Sequence, residues 1–429
     1  MRRRTSPLLI ASLVLAATAT VGLAACGDDS GGGGEKTLNL TIGDIVPLTG
    51  DLADYGPSGR KAAQVAVDQI NAAVKEAGAD HTVKLVNEDD QTDPQAAVQA
   101  ARKVVDTDNA SCIAGGYSST SSTIPIARSV TIREGVLQIS PASTADEISD
   151  LDDNGLVNRT SPPDRFQGPT LAGLVEESLG GAQGKTINIG ARNDAYGTGL
   201  ADTFTKPWEA KGGKIGKKVI YDPEQPSYNS EAQQIVSGNP DGWVIIDFPE
   251  TYAKVGPALV RTGKWDPKKS FITDGLASSK LPGDVGRDAT EGMRGTAPGS
   301  PDSGAASEAF DKAYNAAGGP ERQTFDAQNF DATVLCYLTA VAAGSTDGKE
   351  MAAKLQEVSG PGGTKYTFEQ LPDAIKDLQD GKDINYEGAS GPLDLNEQGD
   401  PTSGVYDIYR YKDGKIDVFD ELPVEEPQT

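Results

Sequence analysis

The chain of 429 residues contains one histidine, His81, and three cysteines. One histidine excludes a histidine-rich metal site and leaves a Ser-His-Asp triad without a second candidate base. Positive charge is also scarce. Lys and Arg number 39 against 63 Asp and Glu, a formal net charge of −24. Binding to nucleic acid needs a basic surface to neutralise phosphates, so that function class is excluded. The same charge repels anionic lipid headgroups. Beyond the first 25 residues no run is long and apolar enough to span a bilayer. The glycine-rich run "GGYSSTSS" has no GK[ST] of a phosphate loop, no G-x-G-x-x-G follows the first strand, and the G-x-S-x-G of an α/β-hydrolase is missing. The run "DLDDNG" begins like a calcium loop with Asp150, Asp152, Asn154 and Gly155, but its twelfth position is Ser161 rather than Glu. Neither a metal nor a cofactor is expected, and the chain does not read as an enzyme.

What is present starts with Arg2, Arg3 and Arg4, then the apolar "PLLIASLVLAATATVGLAA" and Cys26. This is the order of a signal peptide, residues 1–25. Its "LAAC" ending resembles a bacterial lipobox, which implies that Cys26 carries lipid and anchors the chain. Residues 26–36, rich in Gly, Ser and charge, are expected to be a flexible tether. Removing three arginines and no acid takes the charge to about −27, so the body should stand off the membrane. Cys112 and Cys336 remain. In an exported chain they can form one disulfide or stay as two buried thiols.

The length suggests two domains. Short apolar runs alternate with helical patterns: "LNLTIGDIVPL", then "SGRKAAQVAVDQINAAV" with Ser58 as N-cap, "HTVKLVNED", a helix after Asp93, "SCIAGG", "IPIARSVT" and "VLQIS". This β-α-β alternation predicts a parallel sheet with helices on both faces. At "VNRTSPPDRFQGP" the polar, Pro-rich composition marks a boundary, after which the pattern restarts with "TINIGAR", "KIGKKVIYD", "GWVIIDF" and "SFITDG". From about residue 295 the chain turns Gly/Pro-rich and then helical again. It closes on a hairpin ending near 420, with residues 421–429 expected to form a disordered acidic tail.

Ligands of open α/β sheets bind outside the C-terminal strand ends. The candidates there are Tyr55, the run "GGYSSTSST" with Ser118, Ser119 and Thr120, and "SPAST" with Ala142, Ser143 and Thr144. The second unit adds Tyr196, Phe248 and Asp274. Glycine followed by hydroxyls leading into a helix suits an anion such as a carboxylate.

Several segments, in order from about residue 37 to 415, resemble the type I periplasmic binding proteins, in particular the leucine/isoleucine/valine-binding branch of ABC-transporter solute receptors. They are "GDIVPLTGDLADYG", "GRKAAQVAVDQIN", "NEDDQTDPQAAVQAARKVV", "EGVLQISPASTADEI", "NRTSPPDRFQGPTLA", "DAYGTG" and "NFDA". The resemblance implies two Rossmann-like lobes with parallel sheets joined by a three-crossover hinge. Lobe 1 would comprise residues 37–158 plus 298–402, and lobe 2 residues 159–297 plus 403–420. It implies an amino acid held between the lobes. Ser118, Ser119, Thr120, Ala142, Ser143 and Thr144 would take its carboxylate, and Thr144 with Asp274 its ammonium. Tyr55, Tyr196, Phe248 and Phe325 would be its walls. Asp274 stands where the family often has Glu, and Phe330 where it usually has Tyr. The implied role is capture of an amino acid, branched-chain-like, or a similar small polar solute for an ABC permease. The protein would be a monomer, exported and lipid-anchored to the outer face of the bacterial cytoplasmic membrane. An extracellular sensor of the same fold is the alternative, and a secreted enzyme a more distant one.

Overall fold

A computed structural model describes residues 37–115, 117–301 and 304–426. Cys26, the leader and the tether lie outside the described residues.

Five strands form the first sheet: β1 (Leu38–Val46), β2 (His81–Asp89), β3 (Cys112–Ala114), β4 (Leu137–Ser140) and β5 (Val157–Arg159). Their order is β2-β1-β3-β4-β5, and all pairs are parallel. The second sheet uses β6 (Thr186–Arg192), β7 (Lys214–Tyr221), β8 (Gly242–Ile246), β9 (Ser270–Ile272) and β10 (Arg294–Pro298). An excursion follows, carrying β11 (Thr364–Tyr366), β12 (Ile384–Gly388) and β13 (Gly391–Pro392). The chain then returns as β14 (Ser403–Lys412) and β15 (Lys415–Glu425), which complete the second sheet in the order β15-β14-β10-β9-β8-β6-β7. The two sheets are the cores of two lobes.

Buried strands such as "GWVII" are apolar on both faces, as parallel strands covered by helices must be. The helix Asp326–Ala343 is buried through residues 326–341 and lies within the apolar core of lobe 1. A helix enclosed on all sides needs apolar residues all round, which "DAQNFDATVLCYLTAVAA" largely supplies. Cys336 on this helix is disulfide-bonded to Cys112 on β3, 224 residues earlier, with a Cα–Cα distance of 5.9 Å. Closing so long a loop restricts the unfolded chain, so replacing both cysteines by alanine should cost about 2–4 kcal/mol. Urea titration of the double variant checks this; an unchanged midpoint would refute it.

Three expectations need correction. Residues 421–425 belong to β15, because the hairpin continues beyond the expected boundary: Glu425 pairs with Ser403. Its turn is Asp413-Gly414, with φ of 55° and 74°, the paired left-handed geometry of a tight two-residue hairpin. Ser58 is not an N-cap. The helix starts at Gly56, and the buried Ser58 hydroxyl donates to Tyr55 O (3.0 Å). The Gly/Pro-rich "RGTAP" is strand β10, wedged between β9 and β14. The lone histidine, His81, opens β2 and packs onto the buried helix, its Nδ1 2.9 Å from the Tyr337 hydroxyl.

Several buried carboxyls shift upward. Burial pushes Asp44 and Asp247 up to about 7 and Asp331 to about 6. Hydrogen bonds oppose it, from Asn329 and Asn87 at Asp44 and from Ser390 at Asp331; at Asp247 the charge of Arg192 opposes it first. A carboxyl that holds its proton more tightly when folded stabilises fully below its unfolded pKa. That contribution is lost as pH rises through the folded value. Relief of net negative charge acts in the same direction. The melting temperature of the unliganded protein should therefore be higher at pH 5 than at pH 8. A steady rise across that interval would contradict the assignment.

Candidate ligand-binding cleft

The strand ends of both lobes meet around a small cavity. Its lining includes Tyr55, Ser118, Ser119, Thr120, Ala142, Tyr196, Phe248, Asp274 and Phe325, together with Leu52, Tyr117 and Gly275. Nine of the eleven expected site residues are thus brought together. The empty space is ≈ 340 Å³, but only ≈ 20 Å³ admits the centre of a water-sized sphere. That is about the room one water requires, so the lobes must part to admit a solute.

Lobe 1 supplies the hydroxyl side. Ser119 accepts from Ser121 N (3.3 Å) through its side chain, and from Ser122 N (2.8 Å) and Thr123 N (3.1 Å) through its carbonyl. Thr120 Oγ1 accepts from Ala145 N (3.3 Å), fastening the two strand-end loops together. The expected anion site at this helix start is therefore narrower than the sequence suggests, because these amides are already paired. Ser118 Oγ is buried beside the Asp90 carboxyl, whose burial-raised pKa it opposes.

Lobe 2 supplies the acidic side. Asp274 is buried, and its Oδ1 accepts from Gln167 Nε2 (2.7 Å) and from the Tyr196 hydroxyl (3.0 Å). Burial pushes its carboxyl up to about 6, and these two hydrogen bonds oppose the shift. The Tyr55 hydroxyl, from lobe 1, lies 3.3 Å from the carbonyls of both Asp274 and Gly275. Gly275 permits this crowding: a Cβ there would stand 2.6 Å from Asp247 O and 2.9 Å from the Tyr196 hydroxyl.

Ser143 and Thr144 do not line the cavity. Ser143 Oγ turns into the protein and lies 2.8 Å from Thr123 Oγ1. Thr144 Oγ1 is buried beside the buried carboxyl of Asp164. Asp164 N donates to Thr144 O (2.8 Å). Burial and then the neighbouring Asp274 push the Asp164 carboxyl well up, opposed by the Thr144 hydroxyl. Two buried carboxyls therefore sit beside one another, and an added cation would relieve both.

The walls are aromatic. Phe248 stacks on Tyr196 with centroids 5.0 Å apart, and the Arg192 guanidinium lies 3.7 Å from the Phe248 centroid. Arg192 also pairs with Asp194 and, across the cleft, with Asp51 (3.0 Å). Tyr117 donates to Thr324 O (2.6 Å) or Asp326 Oδ1 (2.7 Å), holding the turn that presents Phe325. Sequence reasoning missed Tyr117, Leu52, Gln167, Asp164 and Arg192. Tyr117 and Leu52 stood inside quoted strand-end runs and were readable there. Gln167 and Asp164 stood in a stretch that reads as a polar boundary.

The model of the periplasmic binding protein family matches residues 39–371. The chain belongs to that family. It is a type I member of the leucine/isoleucine/valine-binding type. It is 29% identical over 385 residues to a Leu/Ile/Val-binding protein of Rhizobium johnstonii, a match covering 88% of this chain and 93% of the relative. The branched-chain amino acid transporter substrate-binding protein of Streptococcus pneumoniae, solved with isoleucine, superposes with a TM-score of 0.72 at 20% identity. That match covers 90% of this chain and 99% of the other. A solute-binding protein of an ABC transporter from R. palustris, solved with 4-hydroxybenzoate, gives 0.69 at 16% identity, covering 91% and 98%. At those identities the likeness is one of fold.

Proposed function

We propose that this periplasmic binding protein is a lipid-anchored, monomeric receptor that captures an α-amino acid with a branched or similarly small side chain and presents it to an ABC permease. Cys26 carries the anchor, and lobes 37–158 plus 298–402 and 159–297 plus 403–420 close on the solute. The observation that carries the reading is one cavity lined by the buried Asp274 from lobe 2, by the Ser118–Thr120 hydroxyl loop from lobe 1, and by the rings of Tyr55, Tyr196, Phe248 and Phe325. A zwitterion answers both sides at once. Its ammonium neutralises the acids beside Thr144. Its carboxylate takes the Ser118–Thr120 loop, and its side chain lies against Leu52, Tyr55 and Phe248. Closure excludes water, which strengthens both charged contacts.

Thermal-shift screening of amino acids, amides and aromatic acids tests this. A ligand at one hundred times its Kd should add about 2.7 kcal/mol of stability. Leucine, isoleucine or valine should lead the panel. Stabilisation by an aromatic acid alone would overturn the reading.

A further inference from the structure

A second hollow lies behind one wall of the cleft, with ≈ 370 Å³ open to the centre of a water-sized sphere. Both lobes build it. Ser279 and Asp407 come from one side, and Asp311, Glu321 and Arg322 from the other. Gln323 Nε2 donates to Ser279 Oγ (3.0 Å), and Ser279 Oγ to Glu321 Oε2 (3.3 Å), so its rim joins across the lobe boundary. Among the described residues three acids line it against one arginine, and that arginine is already paired with Asp311.

Phe325 is the one residue common to the linings of the two cavities. Its backbone sits at φ 73°, ψ 0°, a left-handed conformation that a bulky side chain seldom adopts unless its surroundings impose it. They do so here. Tyr117 holds Thr324 and Asp326, and Asp326 Oδ2 accepts from Gln323 N (2.8 Å). The ring meets Tyr117 edge-on, with centroids 6.5 Å apart. The turn thus fixes an aromatic plug between the small ligand cleft and a larger acidic hollow.

We propose that Phe325 sets the upper length of the ligand. Without its ring the hollow admits the cationic end of a longer α-amino acid, a guanidinium or an ammonium. This rests on the amino-acid reading above. Glycine at this position relaxes the left-handed backbone as it removes the plug, so Phe325→Gly should fold. Asparagine also tolerates that region, and Phe325→Asn serves as a second opening if the glycine variant melts early.

Titration calorimetry of the wild type, Phe325→Gly and Phe325→Gly/Glu321→Gln with L-leucine, L-phenylalanine and L-arginine tests the gate. The wild type should bind leucine and exclude arginine. Phe325→Gly should gain about tenfold or more in arginine affinity, one decade of Kd. The added Glu321→Gln should remove roughly three- to fivefold of that gain, the scale of a partly exposed ion pair. Arginine binding by the wild type as tight as leucine would overturn the gate. So would an open variant that binds leucine, or gains phenylalanine, but does not gain arginine. A wild type that binds no α-amino acid would sink the gate and the functional reading together.

Discussion

Arg159→Ala should destabilise the protein by about 3–5 kcal/mol, the cost of removing one partner from a buried ion pair. The Arg159 side chain is fully buried at the end of β5, where the chain first leaves lobe 1. Its Nε donates to Asp400 Oδ1 (2.7 Å), Nη1 to the carbonyls of Ser143 (3.2 Å) and Ala145 (2.9 Å), and Nη2 to Ser149 Oγ (2.8 Å). Asp400 lies just before β14, where the chain passes to the second sheet for the last time, and it also accepts from Arg165 Nη1 (2.9 Å). One guanidinium thus ties two interlobe passages to the loop after β4. Burial alone would raise the Asp400 carboxyl, but Arg159, Ser149 and Arg165 outweigh it and hold it below the usual range. Its stabilisation is therefore present above its unfolded pKa and disappears as pH falls through the lower folded value. Truncating Arg159 leaves Asp400 with only the partly exposed Arg165 and Ser149, and takes a charged donor from the carbonyls of Ser143 and Ala145. Denaturant unfolding at neutral pH measures the loss. A change under 1 kcal/mol would mean that water or relaxation replaces the network.

Asp274→Ala should weaken amino-acid binding by about 2–5 kcal/mol, the penalty for truncating one partner of a buried, hydrogen-bonded charge pair. The effect falls on affinity rather than folding. In the unliganded protein Asp274 is a buried carboxyl pushed up by desolvation, so removing it relieves a burial cost. Its neighbours Gln167 and Tyr196 keep other partners in Thr296 and Thr273. The variant should melt within a few degrees of the wild type. Unchanged affinity would place the ammonium elsewhere.

These two residues differ in how far sequence discloses them. Asp274 follows a run of apolar residues at a strand's C-terminal end, where topology alone puts ligands. Arg159 stands in "VNRTSPPDRFQGP", whose polarity reads as a solvated boundary. It is buried because the chain passes between lobes there, and a passage enclosed by two lobes must satisfy its polar groups internally. Gln167 and Asp164 were hidden for the same reason. The lobe alternation was legible because parallel strands and their covering helices carry distinct periods. β10 and β5 were not, since Gly, Pro and polar residues in three- to five-residue strands carry no period. Ser143 and Thr144 sat at the right strand end, but the chain bends at Pro141 and Ala142 once β4 is over, so no strand period says which side chains face a ligand. Only Ala142 of that trio reaches the cavity.

The central claim is that the cleft recognises both charged ends of an α-amino acid. Titration calorimetry with L-leucine and with 4-methylpentanoic acid, the same molecule without its amino group, tests it most directly. L-leucine should bind with one site per chain, and the deaminated acid should bind at least about a hundredfold more weakly, the scale of one lost charged hydrogen-bonded contact. Equal affinity for the two, or binding of the deaminated acid alone, would contradict the account.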